Sequence, residues 1–401
     1  MRNDPQEDMM GPVLSIFGFA RRARPRVALS IGPLSIAWAL ASALAVLSPA
    51  WAAEQQARKG DAEFRQAWVT YAGPAMQGRV PNMLEAAQEA RMAAIPQMEA
   101  AVQADPRNVD YLTSLAYMRL AAGQYDKAKA AIDAAIQAKR DEPLLYLLRG
   151  QDEAALALMH PETAGDRIGT AVRAFDEAGR IDPGNALPLL QGASVAFDAN
   201  RPDLAQPRLK RALESSDIVL YRLPVPADLF PEVPKSLSAW QYVQVGHWVE
   251  LLSRCQNVAK ACLRAGEREQ QAGNLEAAYE QFLSALEVGR KIGTAKPYLF
   301  VTVASAMGVL EKAYAALSRV GEALNKPETA RWKGEAGVLI IGRDALAGAL
   351  QNYMKDIAEH PPSSLGGMLS TEAKYVSPVI AGIGLTPQPV REEEPQQVPP
   401  S

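Results

Sequence analysis

Chemistry-bearing side chains are scarce in this sequence. Only two cysteines and three histidines occur in 401 residues. Cys255 and Cys262 sit seven positions apart on what reads as one helix, about 10 Å along its axis and beyond disulfide reach. They read as two small buried apolar side chains; the alternative is a bridge across a break in the helix or to another molecule. Their spacing is no zinc or redox motif. His160 and His360 each precede a proline at a helix end, where an imidazole can meet the terminal carbonyls. His247 has Glu250 three residues on, but two ligands do not make a metal site and no HExxH occurs. GxSxG, GxxxxGK[ST] and GxGxxG are absent as well. The expectation is therefore no cofactor, no metal and no catalysis. A deep polar pocket holding both His247 and Glu250 would point to an enzyme instead.

Positive charge is also lacking. The formal net charge is −3, whereas a nucleic-acid binder usually carries a basic surplus. Aromatic residues are 6% of the chain and do not interleave with a basic strip, so the partner expected is a protein or peptide and no nucleic acid. A mildly acidic surface also disfavours docking on anionic lipid. Few aromatics with abundant alanine favour closely packed helices over β-sandwiches.

What is present begins with an export signal. Arg21, Arg22, Arg24 and Arg26 form a cationic region, Val27 to Leu47 is uncharged, and Ala50 and Ala52 supply a small-x-small cleavage pattern. Residues 1–52 read as a signal peptide cut after Ala52, giving a periplasmic or secreted protein by the general secretory route. The alternative is an uncleaved inner-membrane anchor, since twenty-one apolar residues can span a bilayer. Asp4, Glu7 and Asp8 suggest that translation starts at Met9 or Met10.

A small residue recurs with a larger apolar residue four later and an alanine seven later. The sets are Ala94, Met98, Ala101; Ala128, Ile132, Ala135; Ala171, Phe175, Ala178; Ala205, Leu209, Ala212; and Ala278, Phe282, Ala285. Ala94 to Ala128 and Ala171 to Ala205 are each 34 residues, the tetratricopeptide period. Asp105-Pro106 and Asp182-Pro183 close two sets, since proline ends a helix. With AGQYDKAKAAIDAAI (Ala122 to Ile136) and AGNLEAAYEQFLSALEVG (Ala272 to Gly289), the chain resembles the tetratricopeptide repeat (TPR) family. The match is best over 82–216 and 255–292. It departs from the family at MHPETAGDRIG, at Pro202 and Pro207, and at Leu112 and Leu189, where the family has large aromatics.

The resemblance implies an all-α, TPR-like α-solenoid of antiparallel helix pairs with a helical C-terminal cap. Repeats would occupy 53–216, a Pro-rich connector 217–240, further repeat-like and capping helices 241–360, and a loop with a disordered Pro-rich tail 361–401. Ala316, Val320 and Ala323 keep the spacing without a glycine turn before them. In such proteins the first helix of each pair lines a concave trough. That implies a partner-binding groove of Asp110, Thr113, Tyr117, Leu120, Leu187, Leu190, Ser194, Phe197, Leu263, Glu267 and Gln270. These are not the Lys, Arg and Asn of a carboxylate clamp. A mixed, apolar groove suits an amphipathic helix or an extended peptide. The expected function is an exported scaffold for a protein or peptide; the alternatives are a structural subunit of an envelope or secretion assembly, or an enzyme with an unrecognised site.

Overall fold

The computed structural model describes residues 53–72, 83–226, 239–297, 299–360 and 365–385. The signal segment, the middle of the connector and the tail lie outside the described residues. A separate unit, Met1–Gln55, precedes the one considered below, which begins at Gln56.

The described chain is an all-α, TPR-like solenoid. Its helices are α1 (53–72), α2 (Met83–Ala104), α3 (Val109–Ala121), α4 (Tyr125–Ala138), α5 (Pro143–Met159), α6 (Ala164–Ile181), α7 (Leu187–Asp198), α8 (Pro202–Glu214), α9 (Ala239–Gln271), α10 (Leu275–Gly293), α11 (Phe300–Ala323), α12 (Thr329–Glu359) and α13 (Leu365–Gly382). Consecutive helices pair, and α3, α5, α7, α9 and α11 also touch in series to form one layer. Residues four and seven apart share a helix face. The five recurring sets accordingly point inward on α2, α4, α6, α8 and α10, with every member essentially buried. Each of these is the second helix of its pair.

One rule governs how the two helices of a pair approach. In α9 a Cβ added to Gly266 would lie 2.5 Å from the Phe282 ring of α10. In α5 the same addition at Gly150 would lie 2.6 Å from the Phe175 ring of α6. The glycines are what let the rings lie against the facing backbone. Phe282 follows Gly266 by sixteen residues. At the same register Ala116 precedes Ile132 and Ala193 precedes Leu209, so a smaller knob accompanies a Cβ. The α5–α6 pair is nine residues longer, its extra chain turning through a short 3₁₀ segment at Pro161–Thr163.

The tight turns within pairs share a geometry. Gly123, Asn200, Gly273 and Asn325 have positive φ, and the next amide reaches back five residues: Gln124 to Arg119, Arg201 to Ala196, Asn274 to Glu269 and Lys326 to Gly321. This is the left-handed cap that satisfies the last carbonyls of a helix. Replacing Gly273 by Ala should cost about 1 kcal/mol in urea-unfolding stability, whereas the same change at Gly334, exposed inside α12, should not.

The Asn325 turn joins the last pair. α11, which carries Ala316, Val320 and Ala323, is its first helix, packed on α9, and α12 is its second. One difference from the sequence reading is α13. Residues 365–382 are helical through Gly366-Gly367, where a loop was expected. The helix is held by Val376, Val379 and Ile380, all buried, and the chain just after it inserts Ile383 against Gly342 of α12. Tertiary burial overrides local propensity there.

The described part of the connector runs extended. Asp217 pairs with Asn185 and Val219 with Lys296 as isolated bridges, and Ile218, Leu220 and Leu223 are buried. Asn185 secures it: its side chain donates to the Val219 carbonyl at 2.9 Å and accepts from the Val219 amide at 2.9 Å. Trp248 Nε1 of α9 donates to the Tyr221 carbonyl at 2.9 Å.

Candidate functional site

A cavity of about 370 Å³ opens where α1, α2, α3, α5 and the first turns of α9 converge. α3 contributes Tyr117, Leu120 and Ala121, with Tyr125 just beyond its turn. α1 and α2 supply Tyr71 and Arg91, and α5 supplies Gln151 and Ala155. α9 adds Val243, Gly246, Glu250 and Arg254 from more than a hundred residues away.

Its walls are aromatic. Tyr71 and Tyr117 pack with centroids 6.0 Å apart, backed by Trp68. Burial pushes both phenols above the usual range, so both stay protonated. Arg91 lowers the Tyr71 phenol in part by its charge and donates to the Ala121 carbonyl at 3.4 Å. Arg254 lies 3.6 Å from Glu250, one helical turn away. The lining thus carries two guanidinium groups and one carboxylate.

Gln151 in the lining, and Asp152 and His247 outside it, carry polar atoms that lack partners within the described chain. Gln151 is 8% exposed and its Nε2 donates to nothing. Asp152 is fully buried with both carboxylate oxygens unpartnered; burial, then the neighbouring Glu153 charge, pushes it up to about 7. Glu153 itself is buried but held by Lys129 at 3.0 Å and Arg167 at 3.2 Å. His247 is 1% exposed, edge-on to Tyr117 at 5.4 Å, with Nε2 unpartnered. Burial pushes it down to about 4, so it is neutral at pH 7. Glu250 lines the cavity and His247 does not, so the pair whose joint presence would have pointed to an enzyme is split.

Tyr117 and Leu120 are the two expected groove residues that line this cavity. Asp110 is exposed in the first turn of α3, and Thr113 is buried with its hydroxyl donating to the Val109 carbonyl at 2.7 Å. Leu187, Leu190 and Ser194 are buried in α7, because α9 lies over that helix; Gln191 Nε2 donates across the contact to the Leu251 carbonyl at 2.8 Å. Phe197 is half-buried beside Ala196 and Ala205. Leu263 is buried, Glu267 exposed and Gln270 half-buried toward the end of α9. The sequence reading missed Tyr71, Arg91, Gln151 and Arg254. Only Gln151 left a signal: the polar run Gln151-Asp152-Glu153 inside the apolar helix PLLYLLRGQDEAALALM.

Cys255 and Cys262 are buried free thiols on α9, and burial pushes each up to about 12.

The fold and cavity define a helical-repeat protein with a polar-floored, aromatic-walled cavity. No family model matches the chain, and no curated protein matches it. Among solved structures, the human IFIT1 dimer with PPP-AAAA is similar over 66% of this chain, at 14% identity and a TM-score of 0.30. The match spans 61% of that structure's chain. That neighbour is a complex with PPP-AAAA, whereas the sequence reading of this chain expected no nucleic-acid partner. That expectation rested on whole-chain charge. Net charge averages the surface, whereas a cavity is read by its own lining, and here Arg91 and Arg254 stand against Glu250.

Proposed function

We propose that this protein is an exported, TPR-like scaffold that holds a protein or peptide partner against the layer formed by its first helices, without catalysis. The supporting observation is the cavity between α3, α5 and α9, where aromatic walls meet two arginines, a glutamate and the unpartnered Gln151 amide. A solenoid keeps such a surface because its repeats bury their apolar faces on one another and leave the inner layer free to bind. The aromatic and arginine content is what concentrates binding energy in protein interfaces. The chain from residue 53, immobilised, should recover a specific partner from envelope extract. Tyr125→Ala with Glu250→Arg should reduce recovery about tenfold or more while circular dichroism stays unchanged. Equal recovery by wild type and variant would count against the reading.

Export is the second component. N-terminal sequencing of the protein from its native cell should begin at Ala53. A start at or before Met10 would favour the anchored form.

A structural subunit of an envelope or secretion assembly is the second reading. It draws on α12, where Ile340 and Ile341 are 63% and 72% exposed, since apolar side chains exposed together mark contact surfaces. Size-exclusion with light scattering separates the two readings: self-assembly that Ile341→Glu abolishes supports the subunit, and a monomer supports the free scaffold.

A further inference from the structure

We propose that the cavity binds a small organic monoanion, a carboxylate carried on a ring or short apolar body, with Arg91 and the Gln151 amide as its anchors. The site is argued independently of any protein partner.

Charge comes first. Glu250 is the carboxylate of the lining and stands next to Arg254. Arg91 is left with a neutral partner, the Ala121 carbonyl. A guanidinium beside a low-dielectric wall attracts an anion, and its planar fork matches a carboxylate. Gln151 adds an independent observation. It is more than nine-tenths buried, lines the cavity, and its Nε2 has a proton to donate with no acceptor in the described chain. A ligand oxygen supplies that acceptor.

The ligand charge is limited to one. Two guanidinium groups against one carboxylate leave a single surplus positive charge. A phosphoryl dianion would bring its second charge toward Glu250, and like charges at close range repel. The protonated Tyr71 and Tyr117 hydroxyls can donate to a carboxylate but cannot neutralise a dianion.

Size and wall chemistry set the body. About 370 Å³ is near the lower end of small-molecule sites, roughly 300–1,000 Å³. It takes one ring with a short arm, not a folded peptide segment. Tyr71, Tyr117 and Tyr125 offer ring faces, and Leu120 and Val243 offer aliphatic surface. A ring can stack on the tyrosines while its carboxylate meets the anchoring groups of the lining.

The test uses the mature chain, isothermal titration and thermal melts. The probes are benzoate, phenylacetate and 4-hydroxybenzoate; neutral phenylacetamide; inorganic phosphate; and an acidic tripeptide with blocked ends. At least one of the three acids should saturate a single site and raise the melting temperature. Phenylacetamide, phosphate and the tripeptide should bind at least about tenfold more weakly. Arg91→Gln should weaken acid binding about tenfold and Gln151→Leu severalfold. Arg173→Gln, on the exposed side of α6, should leave it unchanged. If Arg91→Gln does not fold, Gln151→Leu and Tyr125→Ala decide. The proposal is overturned if none of the acids saturates, if phenylacetamide binds as well as phenylacetate, if phosphate or the tripeptide binds best, or if Gln151→Leu and Tyr125→Ala bind like wild type. Failure here with a partner still recovered would leave the scaffold reading standing. Acid binding with no partner recovered would do the reverse.

Discussion

Gly266→Ala should destabilise the protein by about 2 kcal/mol, and adding Phe282→Leu should recover most of that loss. The new Cβ would sit 2.5 Å from the Phe282 ring, closer than carbon atoms pack, so the ring must leave its position or the helices must part. Alanine's better helix propensity returns about 1 kcal/mol, which is why the net cost is not larger. Phe282→Leu alone leaves a void and should cost about 1–2 kcal/mol. The double variant recreates the combination that Ala193 and Leu209 occupy at the same register in the α7–α8 pair. Urea denaturation of the four proteins therefore gives a coupling energy of about 3 kcal/mol. Additive losses would mean that the glycine serves something other than the close approach of ring and backbone.

Asp152→Asn should stabilise the fold by about 2 kcal/mol at pH 8 and leave it nearly unchanged at pH 4. The Asp152 carboxylate is wholly buried without a partner and is pushed from the usual 3.8 up to about 7. The folded chain therefore binds this proton more tightly than the unfolded chain. Its favourable contribution is complete below pH 3.8 and is lost as pH rises through 7, where an unpaired charge is left in the interior. Glu372 behaves alike, pushed from 4.5 up to about 7 by burial although it accepts from the Phe300 amide at 2.7 Å. His247 has the opposite slope: burial holds it down at about 4 instead of 6.5, so its neutral burial is penalised as pH falls through that window. The wild-type curve mixes these three groups, but subtracting it from the Asp152→Asn curve isolates one. A difference that is flat from pH 4 to pH 8 would show that Asp152 is solvated or paired.

The repeat architecture was legible because it is local. Ala128, Ile132 and Ala135 announce a helix face that faces another helix, and the same spacing at Ala94, Ala171, Ala205 and Ala278 implies that the arrangement recurs. Gly123 and Gly273 were legible turns for the same reason. Asn200 and Asn325 adopt the same left-handed geometry, as asparagine can, yet a search for glycine alone passes over them. That left the turn between α11 and α12 unmarked in the sequence. α13 was hidden because Gly366-Gly367 argues locally against the helix that Val376 and Val379 stabilise from a distance.

The cavity was legible only on its α3 side. Tyr117 and Leu120 follow from the register of the repeat. Tyr71 comes from a helix ahead of the repeat matches, Arg91 from α2 outside its recurring set, and Arg254 from a helix that reaches back across the intervening pairs. No spacing rule connects them. The burial of Leu187, Leu190 and Ser194 likewise depends on α9 lying over α7, which no periodicity within α7 reveals.

A single cross-linking experiment addresses the convergence of distant helices most directly. Cysteines introduced by Tyr125→Cys and Glu250→Cys should be joined within one folded chain by a short bismaleimide, while the buried native thiols stay unlabelled. The pair Arg173→Cys and Glu250→Cys should not be joined. If Tyr125→Cys and Glu250→Cys each take a single label but never cross-link, the start of α9 does not close over α3 and the cavity does not exist.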